Sequence, residues 1–208
     1  MKNQNSFKFI VFAVLLTFFL LCTTITSASQ EVTTAIKSTI DQVVDLLKDE
    51  KFKDNKGARM AKLREIINPR FSYTQMSMRS LAKHWNDKSN EEKQNFINLF
   101  GKLLENSYAT KLESYSNEKI NYGEEIIKGK YAMVKTEIVR SDGTINVDYK
   151  LIQENGDWKV YDFVIEGVSM INNYRSQFSR IIRKNSYEGL KKKLLEKIQN
   201  LADNELDG

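Results

Sequence analysis

Residues 158–178, WKVYDFVIEGVSMINNYRSQF, constrain the fold more than any other stretch of this chain. Trp158, Val160 and Val164 fall on one parity of an extended run, and Tyr161, Phe163 and Ile165 on the other. Successive side chains of a strand point to opposite faces, so neither face of this strand is left to water. A strand of that kind lies inside a layered domain or walls a cavity. Gly167 turns the chain, and residues 168–184 follow with helical spacing.

The segments upstream supply the partners. Three further runs read as strands: 119–127, 130–140 and 144–153, with the apolar run closing as a fourth at 157–166. Lys128-Gly129, Ser141-Asp142-Gly143 and Asn155-Gly156 join them, and Asp-Gly or Asn-Gly between alternating runs signals a hairpin. A four-stranded antiparallel meander is expected. Before it, Ile36, Ile40, Val43, Val44 and Leu47 mark one helix, and Leu63, Ile66 and Ile67 a second that stops before Pro69, the only proline. Residues 71–85 read as a third. Ser89 and Glu92 form a capping box for a long helix with Phe96, Leu99, Phe100, Leu103, Leu104, Tyr108, Leu112 and Tyr115 on one wide face. A last helix over 186–203 turns Leu190, Leu194, Leu195, Ile198 and Leu201 inward and Lys191, Lys192, Lys193 and Lys197 largely outward. The expected fold class is α+β: a four-stranded curved antiparallel sheet packed on N- and C-terminal helices, enclosing an apolar cavity. The outline is similar to cone-shaped folds of the nuclear transport factor 2 type.

Residues 1–29 read as a cleaved signal peptide; an uncleaved N-terminal anchor is the alternative, and a lipoprotein processed at Cys22 a weaker one, since Leu21 stands where a small residue is wanted. Lys2 and Lys8 precede a 13-residue apolar run, 9–21, too short for the ~20 residues of a membrane span. Small polar residues follow, with cleavage placed after Ala28 or Ser29. Without this segment, 32 basic residues become 30 against 27 acidic ones, so the charge falls from +5 to +3. A chain so near neutrality gives little reason to expect a nucleic-acid partner. The only cysteine, Cys22, leaves with the leader, so the remainder, 30–208, holds no disulfide and depends on its core. One domain of that size suffices.

Catalytic patterns are sparse. His84 is the only histidine, no glycine-rich phosphate loop occurs, and no nucleophile elbow is present; no metal or cofactor is expected. Asp162 and Glu166 share one side of the last strand, about 13 Å apart at ~3.3 Å per residue, too far for a carboxylate pair. Asp162 alone could serve as a base in an isomerase-like cavity; the plainer alternative is a hydrogen bond to the neighbouring helix. Tyr174, Arg175, Phe178, Arg180 and Arg183 interleave aromatic and basic groups, for which core packing is the better reading.

The same residues carry a resemblance. Trp158-Lys-Val-Tyr-Asp, Glu166-Gly-Val-Ser and Asn173-Tyr-Arg-Ser-Gln-Phe178, with Phe71-Ser72-Tyr73, Leu81 to Trp85, the long-helix stripe and Val147-Asp148-Tyr149, resemble the MlaC family (toluene-tolerance auxiliary family) over about residues 32–200. Two departures stand out: Ala82 where the family often has glycine, and Ser72 where an acid is common. The resemblance implies a periplasmic phospholipid carrier, not an enzyme. Its partners would be an outer-membrane MlaA–porin complex and an inner-membrane complex containing MlaD, with the carrier itself a monomer. A lipid-free periplasmic adaptor is the other alternative. For the tail slot, stripe positions select Phe100, Leu104, Tyr108, Val134, Val147, Tyr149, Leu151, Val160, Val164, Ile171, Tyr174 and Phe178. Arg175 is assigned to the mouth or a partner contact, with a structural salt bridge as the alternative.

Overall fold

The computed structural model describes residues 31–53, 55–113 and 118–206. The leader expected over 1–29 and Tyr115 of the expected long-helix stripe lie outside the described residues.

Five antiparallel strands form one sheet in chain order: β1 (Lys119–Lys128), β2 (Tyr131–Arg140), β3 (Gly143–Glu154), β4 (Asp157–Ile165) and β5 (Val168–Ser169). The pairs Lys128↔Tyr131, Arg140↔Gly143, Glu154↔Asp157 and Ile165↔Val168 each enclose a two-residue turn. Asn155 and Gly156 both adopt positive φ (53° and 88°), as the tightest hairpin turn requires. Glu166 and Gly167 do the same (48° and 77°), which creates the fifth strand beyond the expected four. Only Val168 and Ser169 pair there before the helix begins.

Two bulges redirect side chains. On β4, Lys150 pairs with Asp162 but Leu151 pairs with Val160, so Tyr161 is an extra residue. Val160 and Phe163 therefore share the inner face, while Asp162 and Val164 turn to the outer one. On β1, Tyr122 pairs with Thr136 and Glu125 with Val134, which brings both Tyr122 and Glu125 inward.

The helices are α1 (Glu31–Lys48), α2 (Lys56–Ile67), α3 (Tyr73–Leu81), α4 (Asn90–Glu113) and α5 (Met170–Leu206). The capping box at α4 forms as expected: Ser89 N–H donates to Glu92 at 2.8 Å and the Glu92 amide donates to Ser89 Oγ at 3.1 Å. Ser72 caps α3 by accepting from the Gln75 amide, while its hydroxyl donates to Glu154 at 3.0 Å. An acid in its place could cap but not donate. The helix expected over 71–85 ends early, at Leu81, because Ala82 takes φ 50°, ψ −120° and a 3₁₀ turn, Ala82–Trp85, follows. α5 contains a break at Ser186 (φ 63°) that separates the two helices expected there. Of the inward leucines expected in the last helix, Leu190 and Leu194 are buried, whereas Leu195 is 57% exposed.

Two apolar clusters result. The larger joins Phe96, Phe100, Leu103 and Leu104 of α4 to Val134, Leu151 and Val160 of the sheet and to Ile171, Phe178 and Leu190 of α5. Each such side chain contributes about 1.5–3 kcal/mol on burial. The smaller joins Val43 and Leu46 of α1 to Met60, Leu63 and Ile67 of α2. Residues 69–72 lie along the free edge of β4: Ser72 N–H donates to Val160 O at 2.9 Å and Arg70 Nη1 to Trp158 O at 2.8 Å. This edge is thereby closed to intermolecular pairing.

The Ala82 backbone lies in a region that only glycine occupies freely, at a strain of about 1–3 kcal/mol. The Ala82→Gly variant is expected to gain about 1 kcal/mol after the extra unfolded-state entropy of glycine is subtracted. A urea midpoint at or below that of the wild type would contradict this.

Candidate functional site

A cavity of about 480 Å³ lies between α1 and the inner face of the sheet. Helix α1 lines it with Ile36, Thr39, Ile40, Val43, Val44 and Leu47, one continuous face at helical spacing. Ile67, Phe71, Tyr108 and Leu112 close a second side. The sheet supplies Ile120, Ile138, Ile145, Val147, Tyr149, Val160, Phe163 and Ile165. Ile120, Ile138 and Ile145 are direct cross-strand partners, so they form a row across three strands.

The polar groups mark the two ends. Arg140 is exposed and paired with Asp142 at 3.2 Å, and Glu118 stands with it. Ile165, 43% exposed, lies beside them, which identifies this as the open end. Arg70 lies at the other end with two of its donors engaged, Nη1 by Trp158 O and Nε by Thr39 Oγ1 at 3.2 Å. Between the ends run aromatic rings: Phe71 to Phe163 at 5.3 Å, Phe71 to Tyr108 at 6.1 Å and Tyr149 to Phe163 at 5.4 Å.

The tyrosines keep the slot uncharged. Burial pushes the Tyr149 hydroxyl well above its usual range, with Tyr122 adding to the effect. Burial, then Glu105, does the same for Tyr108. The Tyr108 hydroxyl donates to Asn68 Oδ1 at 3.4 Å, as Tyr73 does at 2.8 Å. Asn68 Nδ2 in turn donates to Glu105, which Arg64 Nε also meets at 3.2 Å. This network ties α2 to α4 behind the cavity wall.

The wall formed by α1 is latched to the sheet through the β1 bulge. Glu125 Oε2 accepts from the Thr33 amide at 2.7 Å and from the Thr33 hydroxyl. A carboxylate at the first turn of a helix is favourably placed against the helix dipole.

Of the residues selected from the sequence, Tyr108, Val147, Tyr149 and Val160 line the cavity. Phe100, Leu104, Val134, Leu151, Ile171 and Phe178 pack in the larger cluster instead, with Tyr174 against Phe100 and Phe178 at 5.0 and 5.4 Å. Val164 pairs with Asp148, between the inward Val147 and Tyr149, and so faces away. Arg175 does not reach the slot; it lies on the exposed side of α5. The α1 face and the isoleucine row were not selected. Their signal was present: α1 carries more apolar surface than its short partner α2 can cover, and three isoleucines recur at the same end of successive strands.

Asp162, the candidate base, faces the outer side and not the cavity. It accepts from Ser169 Oγ at 2.6 Å and from the Ile171 amide at 3.0 Å, and Lys150 Nζ lies 3.7 Å away. It is an anchor for the start of α5. Glu166 holds the Asn146 amide on β3. Among the described residues no group of His, Cys, Asp or Glu could hold a metal ion, and no helix is long and apolar enough to cross a membrane.

Fold and slot together define an α+β domain built around a deep apolar cleft. A family model described as "MlaC protein" matches residues 37–196, and the chain belongs to the MlaC family. The "Intermembrane phospholipid transport system binding protein MlaC" of Haemophilus influenzae is 29% identical over 116 residues, 53% of this chain and 54% of that protein, so the chain spans about half the length of this relative. The "Toluene tolerance protein ttg2D" of Pseudomonas putida is 27% identical over 166 residues, 77% of each. Among solved structures, a phospholipid-binding protein from Ralstonia solanacearum in complex with a phospholipid superposes with a TM-score of 0.75 over 83% of this chain and 99% of that one, at 23% identity. That likeness establishes the fold.

Core and cavity wall should respond differently to truncation. Leu151→Ala, in the packed cluster, is expected to cost about 2–5 kcal/mol, whereas Ile138→Ala, facing the slot, costs under ~1.5 kcal/mol. Equal losses in chemical denaturation would mean that the slot is packed as tightly as the core.

Proposed function

We propose that the chain is a periplasmic phospholipid carrier, made with a cleaved leader over 1–29 and a single lipid-binding domain over 30–208. The observation that carries this reading is the apolar slot between α1 and the sheet, open at the Arg140 end. The family and the phospholipid complex of the Ralstonia neighbour support it. Two acyl chains of ~15 methylenes each would lose ~24 kcal/mol of burial in water at ~0.8 kcal/mol per methylene. A carrier must therefore offer the tails an equivalent environment. The head group, charged and hydrated, would remain at the open end, with Arg140 within reach of its phosphate.

The slot volume bears on how many tails enter. It is about three times the ~150 Å³ cavity that holds one benzene, hence on the order of 20 carbon atoms, or one acyl chain. Admission of two chains would require α1 to swing outward. Among the described residues, Glu125 to Thr33 and Arg70 to Thr39 tie that helix to the rest of the domain. Loading and release would then be biased by partners that favour one position of α1. In keeping with the family, those partners would be an MlaA–porin complex and an MlaD-containing transporter, between which a monomeric carrier shuttles lipid to maintain outer-membrane asymmetry. The orientation of Asp162 away from the slot favours carriage over isomerase chemistry there.

Native mass spectrometry of protein purified from the periplasm without detergent is expected to show a stoichiometric phospholipid adduct on a chain lacking the leader. Val147→Glu, and Ile145→Glu nearer the mouth, should abolish the adduct while circular dichroism stays native. A folded wild type that stays lipid-free even after phospholipid is added back would sink the reading in favour of an adaptor.

A further inference from the structure

A second concavity of about 490 Å³ lies between the 3₁₀ turn after α3 and α5 and shares no residue with the slot. Lys83 and His84 of the 3₁₀ turn line it, together with Arg175, Ser179, Arg180 and Arg183 of α5. Arg175, Ser179 and Arg183 are four residues apart and so share one face of the helix, with Arg180 alongside. The strained turn at Ala82 directs Lys83 and His84 against this stripe.

What sets this hollow apart is that four cations gather in one place. Elsewhere a number of cations sit beside an acid, as Lys37 does with Asp41, Lys62 with Glu65 and Lys135 with Glu124. In this hollow, none of Lys83, Arg175, Arg180 and Arg183 has a carboxylate of the described residues within 4.0 Å. The ring nitrogen Nε2 of His84 is buried with no hydrogen-bond partner. Gathering like charges in one place without neutralisation costs stability, and the arrangement makes chemical sense when the counter-charge comes from outside.

We propose that this pocket and the arginine stripe along it bind the phosphate groups of an anionic lipid surface. Guanidinium forks match the several acceptor oxygens of a phosphate. From Arg175 to Arg183 the stripe rises about 12 Å along the helix, longer than one phosphate, so it meets several head groups and not a single ion. The slot binds a lipid's tails; this face holds the protein against the membrane that lipid comes from or goes to.

The test uses the purified protein in co-sedimentation with phosphatidylcholine vesicles, with and without phosphatidylglycerol. Binding is expected only with phosphatidylglycerol and falls as salt rises. Combined Arg175→Gln, Arg180→Gln and Arg183→Gln, all on exposed positions, should weaken it on the order of 10²-fold. Combined Lys191→Gln, Lys192→Gln and Lys193→Gln removes the same net charge and should leave binding within a few-fold. Wild-type binding in the arginine variant overturns the proposal, and so does equal loss in both variants, which would make net charge the cause. Titration with inorganic phosphate and with polyglutamate separates the other sources. Arginine-dependent binding of either one, with no vesicle binding, overturns the lipid surface in favour of a free phosphate or an acidic protein. Lipid occupancy of the slot, read by native mass spectrometry, should not change in the arginine variant, so failure here leaves the carrier reading standing.

Discussion

One extra residue in β4 organises the molecule. Tyr161 bulges out of register opposite the step from Lys150 to Leu151, and the side-chain alternation of the strand changes phase there. Ahead of the bulge, Trp158 and Val160 point into the core; beyond it, Phe163 and Ile165 point into the cavity. The same shift carries Asp162 outward, where it meets the Ile171 amide in the first turn of α5 and the Ser169 hydroxyl. Without the bulge, a carboxylate would enter the apolar interior unpaired, at a cost of several kcal/mol, and α5 would lose its anchor. The placement of α5, the greasy wall of the slot and the hydrogen bonding of the buried Asp162 all follow from that single insertion.

The bulge in β1 works in the opposite sense. There the change of phase brings a carboxylate, Glu125, inward on purpose of geometry: it meets the start of α1 and satisfies Thr33. Polar groups that border the slot thus have partners of their own. Arg70 meets Trp158 O, Tyr108 the side-chain amide of Asn68, and Arg140 the Asp142 carboxylate. The interior between them is left to hydrocarbon and aromatic faces.

Much of the architecture was legible in the chain because local chemistry and tertiary structure agree. Asn155-Gly156 and Ser141-Asp142-Gly143 announce hairpins, Ser89 and Glu92 announce α4, and the strands match within a residue or two at their ends. β5 escaped because Glu166-Gly167 is not a usual hairpin pair and only two residues follow it. Ala82 ended α3 early although alanine is the best helix former, since the chain must turn there toward α5. The site was less legible. The apolar stripes of α4 and α5 are the widest, yet they fill the core, and the slot is walled by the thinner faces of α1 and the strand ends. Val164 was misplaced by strict alternation, which a bulge suspends. Stripe width reports burial; it does not say whether the buried neighbour is protein or cavity.

The separation between the Phe96–Phe178 cluster and the isoleucine row has a consequence for divergence among related proteins. Folding draws on one set of side chains, and the shape of the slot on another. Exchanges among Ile120, Ile138 and Ile145 would alter the length and girth of the slot while the aromatic cluster keeps the domain folded. Under the proposed carrier reading, change at a few strand-end positions would retune the cargo with no compensating change in the scaffold.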